Sequence, residues 1–169
     1  KYGSVGNTLT CDERWVYCVE SNKTLIARDG LTGRKVMEYA PGFLPTVASA
    51  VDSVLLTCNL GISPPVASRI AALDKTSGKE IWNRAGIAHP PAENGMAFVL
   101  SATELEGVEI ATGNSRWKVK SEVGTGSASL FCGAGTVYAT YIPPWKPFTL
   151  IVAYDARNGD LLWKGRIPS

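Results

Sequence analysis

One histidine, His89, stands four residues before Glu93, and an imidazole beside a carboxylate is the least a general base requires. The pair lies in GIAHPPAEN (residues 86 to 94), where two prolines mark a connector, so His89 is read as a loop residue and no catalytic residue is assigned. The serines offer no G-x-S-x-G elbow. GTGS at 124 to 127 lacks the Lys-Ser/Thr that a phosphate loop needs, and no helix is expected after it. Cys11, Cys18, Cys58 and Cys132 form no CxxC, and with one histidine they make no zinc set, so no metal site is expected. Three of them sit in or beside apolar runs (WVYCV, VLLTC, SLFCG) and are read as small buried side chains, with disulfide pairing left open. The sequon Asn22-Lys23-Thr24 matters only in a secreted protein.

The acids are more orderly. Asp29, Asp74, Glu109 and Asp155 each stand four residues before a glycine, Gly33, Gly78, Gly113 and Gly159. Four residues after each glycine comes a bulky side chain: Met37, Trp82, Trp117, Trp163. One acid per unit at one register is turn chemistry: the carboxylate accepts backbone N–H groups and the glycine takes positive φ. The runs before the acids (TLIA, RIAAL, TLIVAY) and after the glycines (RKVMEY, KEIWN, NSRWKV, DLLWKG) read as paired strands. A further strand precedes each hairpin, at 15 to 20, 53 to 60, 96 to 102 and 136 to 142. Weaker ones come earlier, near Val5 to Cys11, Thr46 to Ala50, Ala92 to Gly95 and Ser127 to Cys132. The third is the poorest, because Pro90 and Pro91 crowd its start. The expected fold is all-β, a β-propeller of four-stranded antiparallel blades, four in this chain, at about 1–42, 43–86, 87–122 and 123–169 of a single domain.

These units resemble the pyrroloquinoline quinone (PQQ) type propeller repeat, A-x-D-x-x-x-G-x-x-x-W, over essentially the whole chain. The Trp82 and Trp163 units fit it fully. The third unit has Gly107 and Glu109 in place of Ala and Asp, and the first has Met37 in place of Trp. The resemblance implies that each Trp docks between neighbouring blades. Burying a Trp removes on the order of 150–250 Å², an upper bound of roughly 4–6 kcal/mol.

The motif glycines lie 45, 35 and 46 residues apart, so long and short units alternate, as a two-blade duplication would give. The extra length falls in GISPPVAS (61 to 68) and IPPWKPFT (142 to 149). Blades of this type usually close as six to eight. Four therefore imply half of an eight-bladed ring completed by a second copy, a piece of a longer chain, or a small four-bladed ring. The chain opens on Lys1 without a signal-peptide pattern, which reads as processing, trimming or a longer parent.

A net charge of +2 with scattered Lys and Arg argues against nucleic acid as a partner, and no apolar run reaches the length of a transmembrane segment. Recognition is expected where the sequence departs from its own repeat: Trp145 and Lys146 in the Pro-rich loop, Phe43 in APGFLP (40 to 45), and His89. Trp145 lies outside the repeat register and reads either as an interface anchor or as a plug folded onto its own prolines. The expected function is a non-enzymatic binding or scaffold module for a protein or small ligand, with no cofactor. The resemblance also admits the alternative of a quinoprotein dehydrogenase holding PQQ and calcium. That family sets its quinone between an adjacent Cys-Cys disulfide and a Trp, and this chain has no Cys-Cys pair. The resemblance implies scaffolds of outer-membrane assembly among relatives, and a slight lean toward an extracytoplasmic location.

Overall fold

A computed structural model describes residues 9–20, 24–43, 45, 47–59, 68–123 and 127–168. Among them there is no helix; every regular element is a strand, and the strands form four antiparallel four-stranded sheets, each a simple meander. The chain is therefore all-β and built of propeller blades. It divides into two compact units, Lys1–Arg84 and Ala85–Ser169.

The first unit holds β1 (Thr10–Cys11), β2 (Trp15–Val19), β3 (Leu25–Asp29) and β4 (Lys35–Tyr39), then β5 (Val47–Val51), β6 (Val54–Cys58), β7 (Arg69–Asp74) and β8 (Glu80–Ala85). Alternation puts Tyr17, Val19, Leu25, Ala27 and Tyr39 of one sheet against Ala48, Leu55, Ala71 and Leu73 of the next, and this is the unit's core. The expected strand from Val5 is described only at Thr10–Cys11, because residues 1–8 lie outside the described residues, as do Asn22 and Lys23 of the sequon and 61–67 of the ISPP loop.

The second unit holds β9 (Ala92–Glu93), β10 (Met96–Leu100), β11 (Glu104–Glu109) and β12 (Ser115–Lys120), then β13 (Ser127–Gly133), β14 (Thr136–Ile142), β15 (Phe148–Asp155) and β16 (Leu161–Pro168). Phe98, Leu100 and Leu105 pack with Leu130, Val137, Ala139, Val152 and Tyr154. The two-residue β9 is as short as its prolines demand; Asn94–Gly95, both at positive φ, turn it tightly into β10. Residues 124–126 of GTGS lie outside the described residues.

Candidate functional site

Each repeated acid closes its own turn. The glycine N–H groups of Gly33, Gly78, Gly113 and Gly159 donate to the carbonyls of Asp29, Asp74, Glu109 and Asp155 at 2.8–2.9 Å. The carboxylate then takes the turn's free donors: Asp29 Oδ1 accepts Leu31 N and Thr32 N, and Asp74 Oδ1 accepts Thr76 N and Ser77 N. These glycines sit at φ 67, 72, 78 and 78°, where a Cβ is strained. Hydrogen bonds that need the charged form hold all four carboxyls below their usual range, and Asp155, gripped by the Arg157 guanidinium and N–H, falls to about 2. Their bonds serve the turns.

The bulky positions fall out differently in each blade. In the second unit the Trp117 ring stands between two glycines: a Cβ on Gly107 would lie 2.3 Å from it, and one on Gly159 2.6 Å. Its Nε1 donates to the Ala156 carbonyl at 3.0 Å, and Phe98 stacks at 6.0 Å. Gly107 is thus the repeat's Ala removed to admit the indole. In the first unit Met37 packs against the core, and the hydrogen bond is made by Tyr39, whose hydroxyl donates to the Lys75 carbonyl at 2.8 Å. Lys75 and Ala156 both follow the repeat acid by one residue, so Met37 and Tyr39 together stand in for one Trp. Trp82 is buried under the Arg84 guanidinium, while Trp163 is 49% exposed beside Tyr138.

Trp145 is 100% exposed, at φ 62°, so its side chain does not lie on Pro143, Pro144 or Pro147 as the plug reading requires. Lys146 beside it is exposed, its N–H donating to the Pro143 carbonyl at 3.3 Å. Phe43 lies half-buried on the first unit's core with the Arg69 guanidinium 5.6 Å above its ring. His89 is half-buried, and loss of water pushes its pKa down, which keeps the imidazole neutral. Glu93, its nearest acid in sequence, accepts the Gly135 N–H at 3.2 Å. Cys58 is buried and its thiol is pushed up to about 12 by desolvation, as suits a small core side chain; none of the four cysteines forms a disulfide, and Cys11 is exposed.

Sequence reasoning missed Asp12. Its Oδ1 accepts Arg14 N and Trp15 N, and its Oδ2 accepts the Tyr17 hydroxyl at 2.7 Å and the Lys75 ammonium at 2.8 Å, tying the first sheet to the second. A recess of about 410 Å³ opens beside this pair, lined also by Glu13, Ala50 and Asp52. Burial raises the Asp12 pKa, but Lys75 and the three donors outweigh it and hold the carboxyl well below 3.8. The unfolded chain therefore binds this proton more readily. Its stabilisation is present above roughly pH 4 and is lost as pH falls through the lower folded value. Asp12→Asn is expected to lower stability by about 1–3 kcal/mol at pH 7 and to flatten the acid limb in urea melts taken from pH 7 downward. An acid limb identical to wild type would remove Asp12 from this role.

Neither a protein-family model nor a curated protein matches the chain. Solved structures do match. Hydrazine synthase from Kuenenia stuttgartiensis aligns with TM-score 0.72 at 15% identity, over 99% of this chain and 51% of that one. A quinohemoprotein alcohol dehydrogenase from Comamonas testosteroni aligns at 0.68 and 16%, over 94% and 34%. BamB from Moraxella catarrhalis aligns at 0.63 and 14%, over 96% and 64%. The chain thus spans less than two thirds of each. At these identities the likeness is one of fold, and the fold is built of β-propeller blades.

Proposed function

We propose that the chain is a non-enzymatic binding module of propeller type whose Pro-rich loop, residues 143–147, engages a protein partner through Trp145. The observation that carries this reading is the placement of Trp145 wholly in solvent on a left-handed residue among three prolines. Strain of this kind costs on the order of 1 kcal/mol and points to use rather than packing. The prolines hold the ring ready at little further entropy cost. A projecting ring is a knob, which suits insertion into a partner's recess better than enclosure of a small ligand. The family resemblance favours an extracytoplasmic location.

The competing reading is a quinone and calcium site. Among the described residues no three His, Cys, Asp or Glu side chains stand close enough to hold an ion, and no two cysteines are adjacent in sequence. The donor set does not fit. Quinone absorbance retained through desalting after addition of PQQ and calcium would overturn the binding-module reading.

Trp145→Gly is expected to raise stability by about 1 kcal/mol, because glycine relieves the positive φ. A photo-crosslinking phenylalanine analogue at 145 should capture one discrete protein from a cell extract, competed by excess wild-type chain and not by Trp145→Gly. The same probe at Arg157, an exposed turn residue, should not capture it. Equal capture at both sites, or competition by Trp145→Gly, would sink the proposal.

A further inference from the structure

We infer that the recess engaged by Trp145 is rimmed by carboxylates, and that Lys146 and Arg166 face them. The inference rests on the reading of Trp145 as a protein-binding residue and adds the chemistry of what it binds.

The turn fixes the ring's direction. Lys146 N–H donates to the Pro143 carbonyl at 3.3 Å, which closes a four-residue turn with Pro144 second and Trp145 third. Proline at the second place and positive φ at the third are the marks of a type II turn, whose third residue is ordinarily glycine or asparagine. The other non-glycine residues at positive φ among the described residues are Asp52, Asn94 and Ala134, all of them small. Trp145 alone of these puts a bulky ring on a left-handed backbone. A lipid surface asks for no fixed direction, because an exposed ring enters headgroups from many. A shaped recess in a protein does ask for one, and there preorganisation adds affinity.

The charge around the turn has one sign. No Asp or Glu occurs between Glu122 and Asp155, nor from Leu161 to Pro168. Asp155 opposes Thr136 at the far end of β15, whereas the loop joins the ends marked by Tyr141 and Leu150. Glu122 is already held by Lys164 Nζ at 3.3 Å. Lys146 stands exposed directly after Trp145. Arg166, also exposed, sets its guanidinium 4.8 Å from the centre of the Phe148 ring, and Phe148 opens β15 at the other end of the loop. Among the described residues neither cation has an acid within ion-pair distance.

Two cations therefore flank one apolar knob. A recess that closes over the indole brings its rim against both and takes water from them. With no opposite charge on the rim that desolvation costs affinity; with carboxylates there, the encounter is steered and the register is fixed. An acidic rim complements this tip, and a neutral or basic one does not.

Phage displaying disulfide-looped random dodecapeptides supply the probe. Clones that bind the 169-residue chain, after depletion on Trp145→Gly, are expected to hold more Asp and Glu around apolar residues than unselected clones. The best of them, made as a synthetic peptide, should bind about 10-fold more weakly to Lys146→Glu and to Arg166→Glu. It should bind undiminished to Lys79→Glu, the same reversal on an exposed turn of the first unit. Binding should weaken as salt rises, and the circular dichroism of every variant should match wild type. Selected peptides that need Trp145 yet carry no excess of acid, or that bind both reversals as they bind wild type, would overturn the acidic rim and leave the Trp145 reading standing. The absence of any Trp145-dependent clone would take both down. Retention of the wild-type chain, and not of Trp145→Gly, on phosphatidylserine vesicles would assign the surface to lipid and sink the inference.

Discussion

Trp117→Ala is expected to lower the unfolding free energy by about 3–4 kcal/mol. Three losses combine. The indole fills the space between Gly107 on its own sheet and Gly159 on the next, two residues whose missing Cβ atoms leave nothing to collapse into the gap. Its stacking on Phe98 disappears. The Ala156 carbonyl loses the N–H that reaches it at 3.0 Å. Trp117→Phe separates these contributions: a phenyl ring keeps much of the area but cannot donate, so its cost should fall to about 1–2 kcal/mol. Guanidinium melts of the three proteins decide the matter. Trp117→Ala within 0.5 kcal/mol of wild type would mean that the ring is a surface ornament.

Gly159→Ala should cost about 2–4 kcal/mol, whereas the same change at Gly33 should cost only about 1 kcal/mol. The positions are equivalent in the repeat, and both glycines have positive φ, 78° and 67°. Left-handed strain is therefore common to both. The difference is steric. A Cβ on Gly159 would fall 2.6 Å from Trp117 Cε3 and 2.9 Å from Val119 Cγ1, whereas one on Gly33 meets nothing. Aromatic carbons on a packed sheet cannot yield as the tip of a lysine can. Equal costs at the two sites would show that turn strain alone matters and that Trp117 does not bear on its neighbour.

Much of the fold was legible because its signals are local. An acid, a glycine four later and alternating apolar residues on either side specify a hairpin through backbone geometry and hydrogen-bond capacity, with no reference to distant parts of the chain. Repetition of that pattern four times made the sheets countable, and the alternation of long and short units pointed to the loop that carries Trp145. The weakness of β9 followed from Pro90 and Pro91 in the same local way.

What one side chain does against another was not legible. Met37 looked like a loss of the repeat's aromatic, yet Tyr39 makes the same hydrogen bond from two residues away, and only packing reveals that exchange. Gly107 looked like drift from Ala, and the structure shows that it clears room for an indole. Asp12 carried no motif at all; its weight comes from Lys75, 63 residues on, which the sheets bring to 2.8 Å. Strands, turns and their order are written in the chain locally, since each depends on residues within a few positions. Which rings are sealed and which stand open is settled by packing, because exposure depends on what other strands and sheets place beside a side chain and no local pattern encodes it.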